Sequence, residues 1–490
     1  MKAAFAKAIR RKRPCWPALA LALAVGAQRP AGANPTGGSV AQGAATFSAS
    51  GSILTVGAAN NTVINWQSFN IGAGETTAFV QPSASSVVWN RVNDVNPSQI
   101  LGHLNANGIV VLQNPSGIYV GGGATLSAHG LILTTASTPP PNFSGGGPWS
   151  FDAPPPAAKI VNYGRIAVAG GGSVFLLADD IDNHGSIFAP RGEIGLYAGQ
   201  KVLISTTPDG RGLSVETTVP AGGAVNNQGQ LVADAGRIAL TAQTVNQNGL
   251  IQANSVRDEK GVIELVAADQ LNMGAKSEIQ AHGDDFASGS GGGSVVLKSG
   301  NDFSDQAGGA ISVAGGERGG DGGTIEISAP NLLSLHSILK AAALPGWSAG
   351  KLTLDPYDII LDSSGFDSAG SGTVLAGNNP GGTLDLNVNS AFAGFSQITL
   401  QATHDIRLAD GTDFALSDNT GVSSGQLTLE AGHNIIFGDQ ALIYDENNWS
   451  VTLKAGVTDF NSGTVQPGAG SIYLGGFDGL NPLGNSGSIQ

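Results

Sequence analysis

Carboxylates gathered on one exposed face, often with calcium and a basic residue beside them, are what polysaccharide lyases and hydrolases use for acid and base work. This chain offers two such groupings, Asp179-Asp180-Ile181-Asp182 and Asp284-Asp285. Each adjoins a Gly or Asn turn, where carboxylates ordinarily solvate a loop, so neither is expected to be catalytic. The seven histidines (His103, His129, His184, His282, His336, His404 and His433) are scattered, with no His-x-x-x-His pair and no accompanying cysteine, which gives a metal site no sequence support. The segment from Gly315 to Gly323 has a faint likeness to calcium-binding nonapeptide repeats, yet it occurs once and without their Asp spacing. Gly346-Trp347-Ser348-Ala349-Gly350 and Gly421-Val422-Ser423-Ser424-Gly425 match the hydrolase elbow in letters. That elbow needs a strand before it and a helix after it, and here a β-type run follows each. No catalytic residue, cofactor or metal is therefore expected.

The elements that would position any such group are short strands. Only 12% of the chain is charged and 6% aromatic, whereas Gly fills 73 of 490 positions and hydrophobic residues 41%. Short Val, Ile and Leu runs lie between Gly, Asn and Ser clusters, the pattern of many strands separated by turns. From Asn162 a unit recurs: Asn162-x-Gly164-x-Ile166, Asn183-x-Gly185-x-Ile187, Asn227-x-Gly229-x-Leu231 and Gln247-x-Gly249-x-Ile251. Its glycines lie 21, 44 and 20 residues apart, near one, two and one multiples of 21. Between them fall Gly-x-apolar-x-apolar strands such as Gly172-Ser173-Val174-Phe175-Leu176 and Gly236-Arg237-Ile238-Ala239-Leu240, and weaker copies continue to Gly470-Ser471-Ile472-Tyr473-Leu474. A repeat of about 20 residues holds about three short strands with turns, one coil of a parallel β-helix and too little for a propeller blade. The expected class is all-β, a right-handed parallel β-helix solenoid.

Lys2, Lys7, Arg10, Arg11, Lys12 and Arg13 precede an apolar run from Pro17 to Ala27, followed by Ala31-Gly32-Ala33. That is an export signal over residues 1–33, and the run falls well short of the roughly 20 residues of a membrane-spanning helix. Removing it takes away seven of the 23 basic residues and Cys15, the sole cysteine, leaving 16 basic against 37 acidic residues, a balance of −21. Nucleic acid is a poor partner for such a surface. Two kinds of stretch break the rhythm: the Pro- and Gly-rich residues 137–156, and the Gly-rich residues 283–293 and 315–323, all expected to be loops leaving the coil. The last residues, Asn485 to Gln490, repeat the Asn-x-Gly-x-Ile phrase, so the expectation is either a longer natural chain or an uncapped end.

Residues 34–136 carry Asn65-Trp66-Gln67-Ser68-Phe69-Asn70-Ile71-Gly72, Val87-Val88-Trp89-Asn90-Arg91-Val92 and Pro97-Ser98-Gln99-Ile100-Leu101-Gly102, then Val111-Leu112-Gln113-Asn114-Pro115-Ser116-Gly117-Ile118. This stretch resembles the secretion domain that opens filamentous haemagglutinins and related two-partner-secretion exoproteins. Asn114-Pro115-Ser116-Gly117-Ile118 is similar to the family's Asn-Pro-Asn-Gly-Ile signature, with Ser116 in place of the second Asn. The resemblance implies that a pore-forming outer-membrane translocator with soluble periplasmic domains recognises this region, with Asn65, Trp66 and Asn114 to Ile118 as candidate contacts. The chain then crosses unfolded and folds outside a Gram-negative cell. Read from the residues alone, Asn114 to Gly117 is a turn, because Pro fixes one dihedral, Asn caps locally and Gly accepts positive φ. Trp66, Phe69, Phe79 and Trp89 read as core or cap of the first coils.

The organisation expected is thus a signal (1–33), a secretion domain that starts the β-helix (34–136), a Pro/Gly-rich loop (137–156) and continuing repeats (157–490). The role expected is a surface adhesin or haemagglutinin that meets an unidentified receptor or glycan. Two alternatives stand beside it: the stem of a longer contact-dependent toxin, and a β-helix enzyme that degrades polysaccharide.

Overall fold

A computed structural model describes residues 34–141, 149–152, 154–155, 157–206, 213–218, 222–363, 382–474, 477–478, 481–482 and 488–489. The expected export signal lies outside these residues, as do parts of the 137–156 loop and of the C-terminal phrase. Strands, most of them of three to six residues, stack coil upon coil with parallel pairing, each coil advancing by about 4.8 Å. The winding is that of a right-handed parallel β-helix, the hand favoured by crossovers between parallel strands. Among the described residues, no helix is long and apolar enough to cross a membrane.

Each regular coil has three faces. Ser98–Ile100, Ile118–Val120, Lys159–Asn162 and Asp180–Asn183 build the first. His103–Ala106, Thr125–Ala128, Arg165–Val168 and Ser186–Phe188 belong to the second, a twelve-stranded sheet. Ile109–Gln113, Gly130–Thr134, Ser173–Ala178 and Glu193–Ala198 build the third. Arg237–Gln247 and Val262–Met273 run through the corner from the third face into the first of the next coil, which merges those two faces into one 22-stranded sheet. Inward residues stack in register: Leu112 on Leu133, Leu176, Leu196, Leu240, Leu265 and Leu297. All of them are fully or nearly fully buried in one continuous core.

The recurring Asn-x-Gly phrase explains a corner of the coil. Asn162 donates to Asn183, Asn183 to Asn227, and Asn227 to Gln247, each over 2.8 Å and with all four residues buried. An amide donates and accepts, so identical residues at coil spacing satisfy one another where water is excluded. Two residues on, a Cβ on Gly229 would meet the Gly185 carbonyl at 2.1 Å, so only glycine fits the corner.

The helix begins with antiparallel strands, Ser39–Gln42 on Thr62–Trp66 and Ala45–Ser50 on Ile53–Ala58, which cover the first coil's open edge. Trp66 sits over this end, edge-on to Phe47 and Phe69, and Phe69 stacks on Phe79. Three features depart from a simple repeat. Within the Pro/Gly-rich stretch, Trp149–Phe151 forms a strand, antiparallel to Val202–Thr206, which pairs with Leu213–Thr217. Thr383–Asn387 pairs with Asp358–Asp362 on the side away from Ile406–Leu408, so the chain steps back one level there. A five-residue helix, Leu416–Thr420, turns a late corner and ends at Gly421 with φ 68°.

Candidate functional site

The Asn114 turn closes the third face and opens the first. The Gly117 amide donates to the Asn114 carbonyl and the Ser116 amide to Asn114 Oδ1, both over 3.0 Å. Gly117 has φ 114°, a conformation that glycine adopts without strain. Asn114 is fully buried, and its Nδ2 donates to the Asn96 carbonyl (3.1 Å) and to Ser98 Oγ (3.0 Å). Ser116 Oγ donates to the Asp94 carbonyl over 2.7 Å, and the Ser98 amide donates to the Gly117 carbonyl. The turn therefore ties the loop 93–97 of the preceding coil to the next one. Ile118 points into the core, Gly117 is buried, and Pro115 and Ser116 stay partly accessible.

Asn65 and Trp66 end the third-face strand two levels earlier: Asn65 pairs with Arg91, and Arg91 with Gln113. All seven residues thus share one corner, about 10 Å apart along the axis at about 4.8 Å per level. Trp66 faces inward, and its indole N–H donates to Asn90 Oδ1 over 2.9 Å, while Asn90 donates to the Val111 carbonyl. Asn65 is partly exposed. Trp89 faces outward and is still fully buried, because Phe151 stacks on it at 5.5 Å and Trp149 packs edge-on at 6.0 Å. Its indole N–H donates to Gln113 Oε1, and Gln113 Nε2 donates to the Ala136 and Thr138 carbonyls. Trp89, expected as core or cap, is core on the outward side, and its signal in the sequence is the unbroken apolar Val87-Val88-Trp89 where one-sided burial calls for alternation.

The carboxylate groupings are occupied structurally. Asp180 pairs with Lys159 at 3.0 Å, Asp179 accepts the Ala157 amide, and Asp182 accepts from Asn226. Asp284 caps its own loop at the Phe286 amide, which holds its carboxyl below the usual range, and Asp285 lies 4.0 Å from His282. Both elbow-like serines precede strands, Gly350–Asp355 and Ser424–Ala431. Two histidines that look scattered in sequence come together, His404 and His433, with Asp405 between them. The signal available was a phrase repeated at coil spacing, Tyr357-Asp358-Ile359, His404-Asp405-Ile406 and His433-Asn434-Ile435.

A capped, parallel β-solenoid, with a side sheet and the Asn114 turn on its first coils, presents an extended stacked surface. The chain belongs to the two-partner-secretion exoproteins: the family model described as TPS secretion domain matches residues 29–288. Members of that family are secreted across the outer membrane of Gram-negative bacteria. A heme/hemopexin-binding protein of Haemophilus influenzae is 31% identical over 261 residues, 50% of this chain and 28% of that one. Another protein of that name and organism is 46% identical over 72 residues, 15% of this chain and 8% of its own length. The match therefore spans under a third of these relatives. The crystal structure of the HMW1 secretion domain from Haemophilus influenzae aligns with TM-score 0.50 at 22% identity, over 86% of this chain and 99% of that one, and shows the same fold.

Proposed function

We propose that the chain is a non-catalytic surface adhesin, and that an outer-membrane translocator reads its first coils before they fold. The observation that carries the second half is the burial of the signature. Asn114, Gly117, Ile118 and Trp66 are enclosed in the folded chain, so a partner can contact these side chains only while the polypeptide is extended in the periplasm. Asn65, Pro115 and Ser116 complete the stretch the translocator's periplasmic domains would bind. Once outside, the same residues close the turn and the cap, so recognition gives way to folding.

For adhesion, two features favour a polar ligand such as a surface glycan. The outward amides of Asn226, Asn246 and Asn272 line a groove of about 500 Å³ with Gln228, Asn248 and Gln306. The loop 283–293 holds Phe286 83% exposed, whereas in the 137–156 stretch, the other candidate contact surface, Trp149 and Phe151 pack onto Trp89 instead. Weak contacts repeated along a rod sum through multivalency. The ligand in the relatives' name does not follow with the matched segment, which is the part devoted to export.

The test is secretion with and without the neighbouring translocator in a Gram-negative host, for the native chain and Asn114→Ala. Partner-dependent release that falls with Asn114→Ala, the variant remaining periplasmic, supports recognition. Undiminished release of Asn114→Ala as a protease-sensitive product in the medium would make Asn114 a folding residue alone. Equal release without a partner would overturn the export reading.

A further inference from the structure

Three successive coils turn the corner between the third and first faces through Tyr357-Asp358, His404-Asp405 and His433-Asn434. The parallel register that puts Ile359 beside Ile406 and Ile406 beside Ile435 forces the residues before them into columns. The His404 and His433 rings stack with centroids 5.1 Å apart, and Tyr357 stacks on His404 at 5.4 Å. Asp405 lies between the two imidazoles, with Oδ1 2.9 Å from His433 Nδ1 and Oδ2 3.7 Å from His404 Nδ1. One ligand atom from each of His404, Asp405 and His433 falls within 4.8 Å of the others.

We propose that these three residues bind a divalent transition-metal ion, zinc in particular. Two imidazoles and a carboxylate are a donor set suited to zinc, which takes three protein ligands with water in the fourth position. The donors are also held in place. Asp405 Oδ1 accepts the Asn434 amide over 2.7 Å, and Asp358 Oδ1 accepts the Asp405 amide over 2.8 Å. Asp358 Oδ1 further lies 2.9 Å from His404 Nδ1, the carboxylate-imidazole pairing that orients a metal-binding histidine. Both histidine side chains are about half exposed, 42% and 50%, so an ion reaches them from solvent. His404 and His433 stand 29 residues apart in the chain. The site therefore exists only once the coils have stacked, and zinc would clip adjacent levels of the folded rod together. It lies beyond residue 288 and rests on nothing in the export reading.

The experiment is calorimetric titration of chelator-treated full chain with zinc chloride, alongside the visible spectrum of the cobalt(II) complex. The expected result is one equivalent bound and a cobalt band typical of nitrogen and oxygen ligands. His404→Ala/His433→Ala should abolish that equivalent with the circular dichroism spectrum unchanged. Should this double variant fail to fold, Asp358→Asn decides, with an expected loss of about 10–100-fold in affinity. Absence of zinc binding to the native chain, or binding unchanged in the folded double variant or in Asp358→Asn, would overturn the proposal.

Discussion

One outward column on the third face runs nearly the length of the rod, and its two halves obey different rules. Early on it reads Val63, Trp89, Val111, Ile132, Phe175, Gly195, Ala239. Later it reads Glu264, Val296, Glu326, Thr353, Thr399, Thr428. The early half is a second hydrophobic cluster, closed by Phe151, Val202 and Ile204 of the side sheet. The later half is partly exposed, and its Glu326 pairs across coils with Lys298 at 2.8 Å. Inside, the same strands present Val, Ile or Leu through both halves, with Asn90 the polar exception near the start. A sheet buried on two sides needs apolar residues at every position, and one buried on a single side alternates. The cover is therefore written into the strand beneath it. The family match, ending at residue 288, contains all three strands of the cover.

Breaking the cover should give the largest effect. Trp89→Ala removes a fully buried outward ring and leaves Gln113 Oε1 without its donor, and should cost about 3–5 kcal/mol, whereas Thr353→Ala in the same column should cost under about 0.5 kcal/mol. Hydrogen exchange resolves this coil by coil, and equal losses at both positions would erase the distinction between the halves. Beside Tyr197 of this cluster, Glu193 has its carboxyl raised to about 7 from 4.5 by burial, against the pull of Arg237 and a hydrogen bond from Tyr197. The folded state holds that proton after the unfolded chain has lost it, so stability should fall as pH rises from about 4.5 to about 7. The size is at most about 3 kcal/mol. Denaturant midpoints at pH 5 and pH 8 measure it, and Glu193→Gln should flatten the difference.

A smaller loss sharpens the comparison from within, because the buried amide column ignores the cover. Asn183→Ala leaves Asn162 without an acceptor and Asn227 without a donor, at about 1–3 kcal/mol. Local exchange protection in the two flanking coils is the readout, and an unchanged protection pattern would deny the ladder any stabilising part.

Much of the coil was legible because it is local chemistry repeated. Asn162, Asn183, Asn227 and Gln247 recur at coil spacing, and the Gly-x-apolar-x-apolar phrases gave strands where strands occur, from Ser173–Ala178 to Ile472–Leu474. The turn at Asn114 to Gly117 was equally readable, since Asn, Pro and Gly each restrict the backbone by themselves. Trp149–Phe151 was not, because three residues amid Pro and Gly carry too little pattern, and their strand exists only against Val202–Thr206, some fifty residues on. The return of Thr383–Asn387 to pair beneath Asp358–Asp362 is a choice between equivalent edges that periodicity leaves open.

By itself, then, the sequence determined an all-β repeat with an apolar interior, an acidic exterior and a family signature near its start, since composition, period and turn residues act over a few positions. Only the tertiary structure decided which residues share a corner. Stacking brings together side chains a coil or more apart in the chain, whether Asn65 above Asn114 or His404 upon His433, and that register is set by hydrogen bonds between coils rather than by neighbours along the chain.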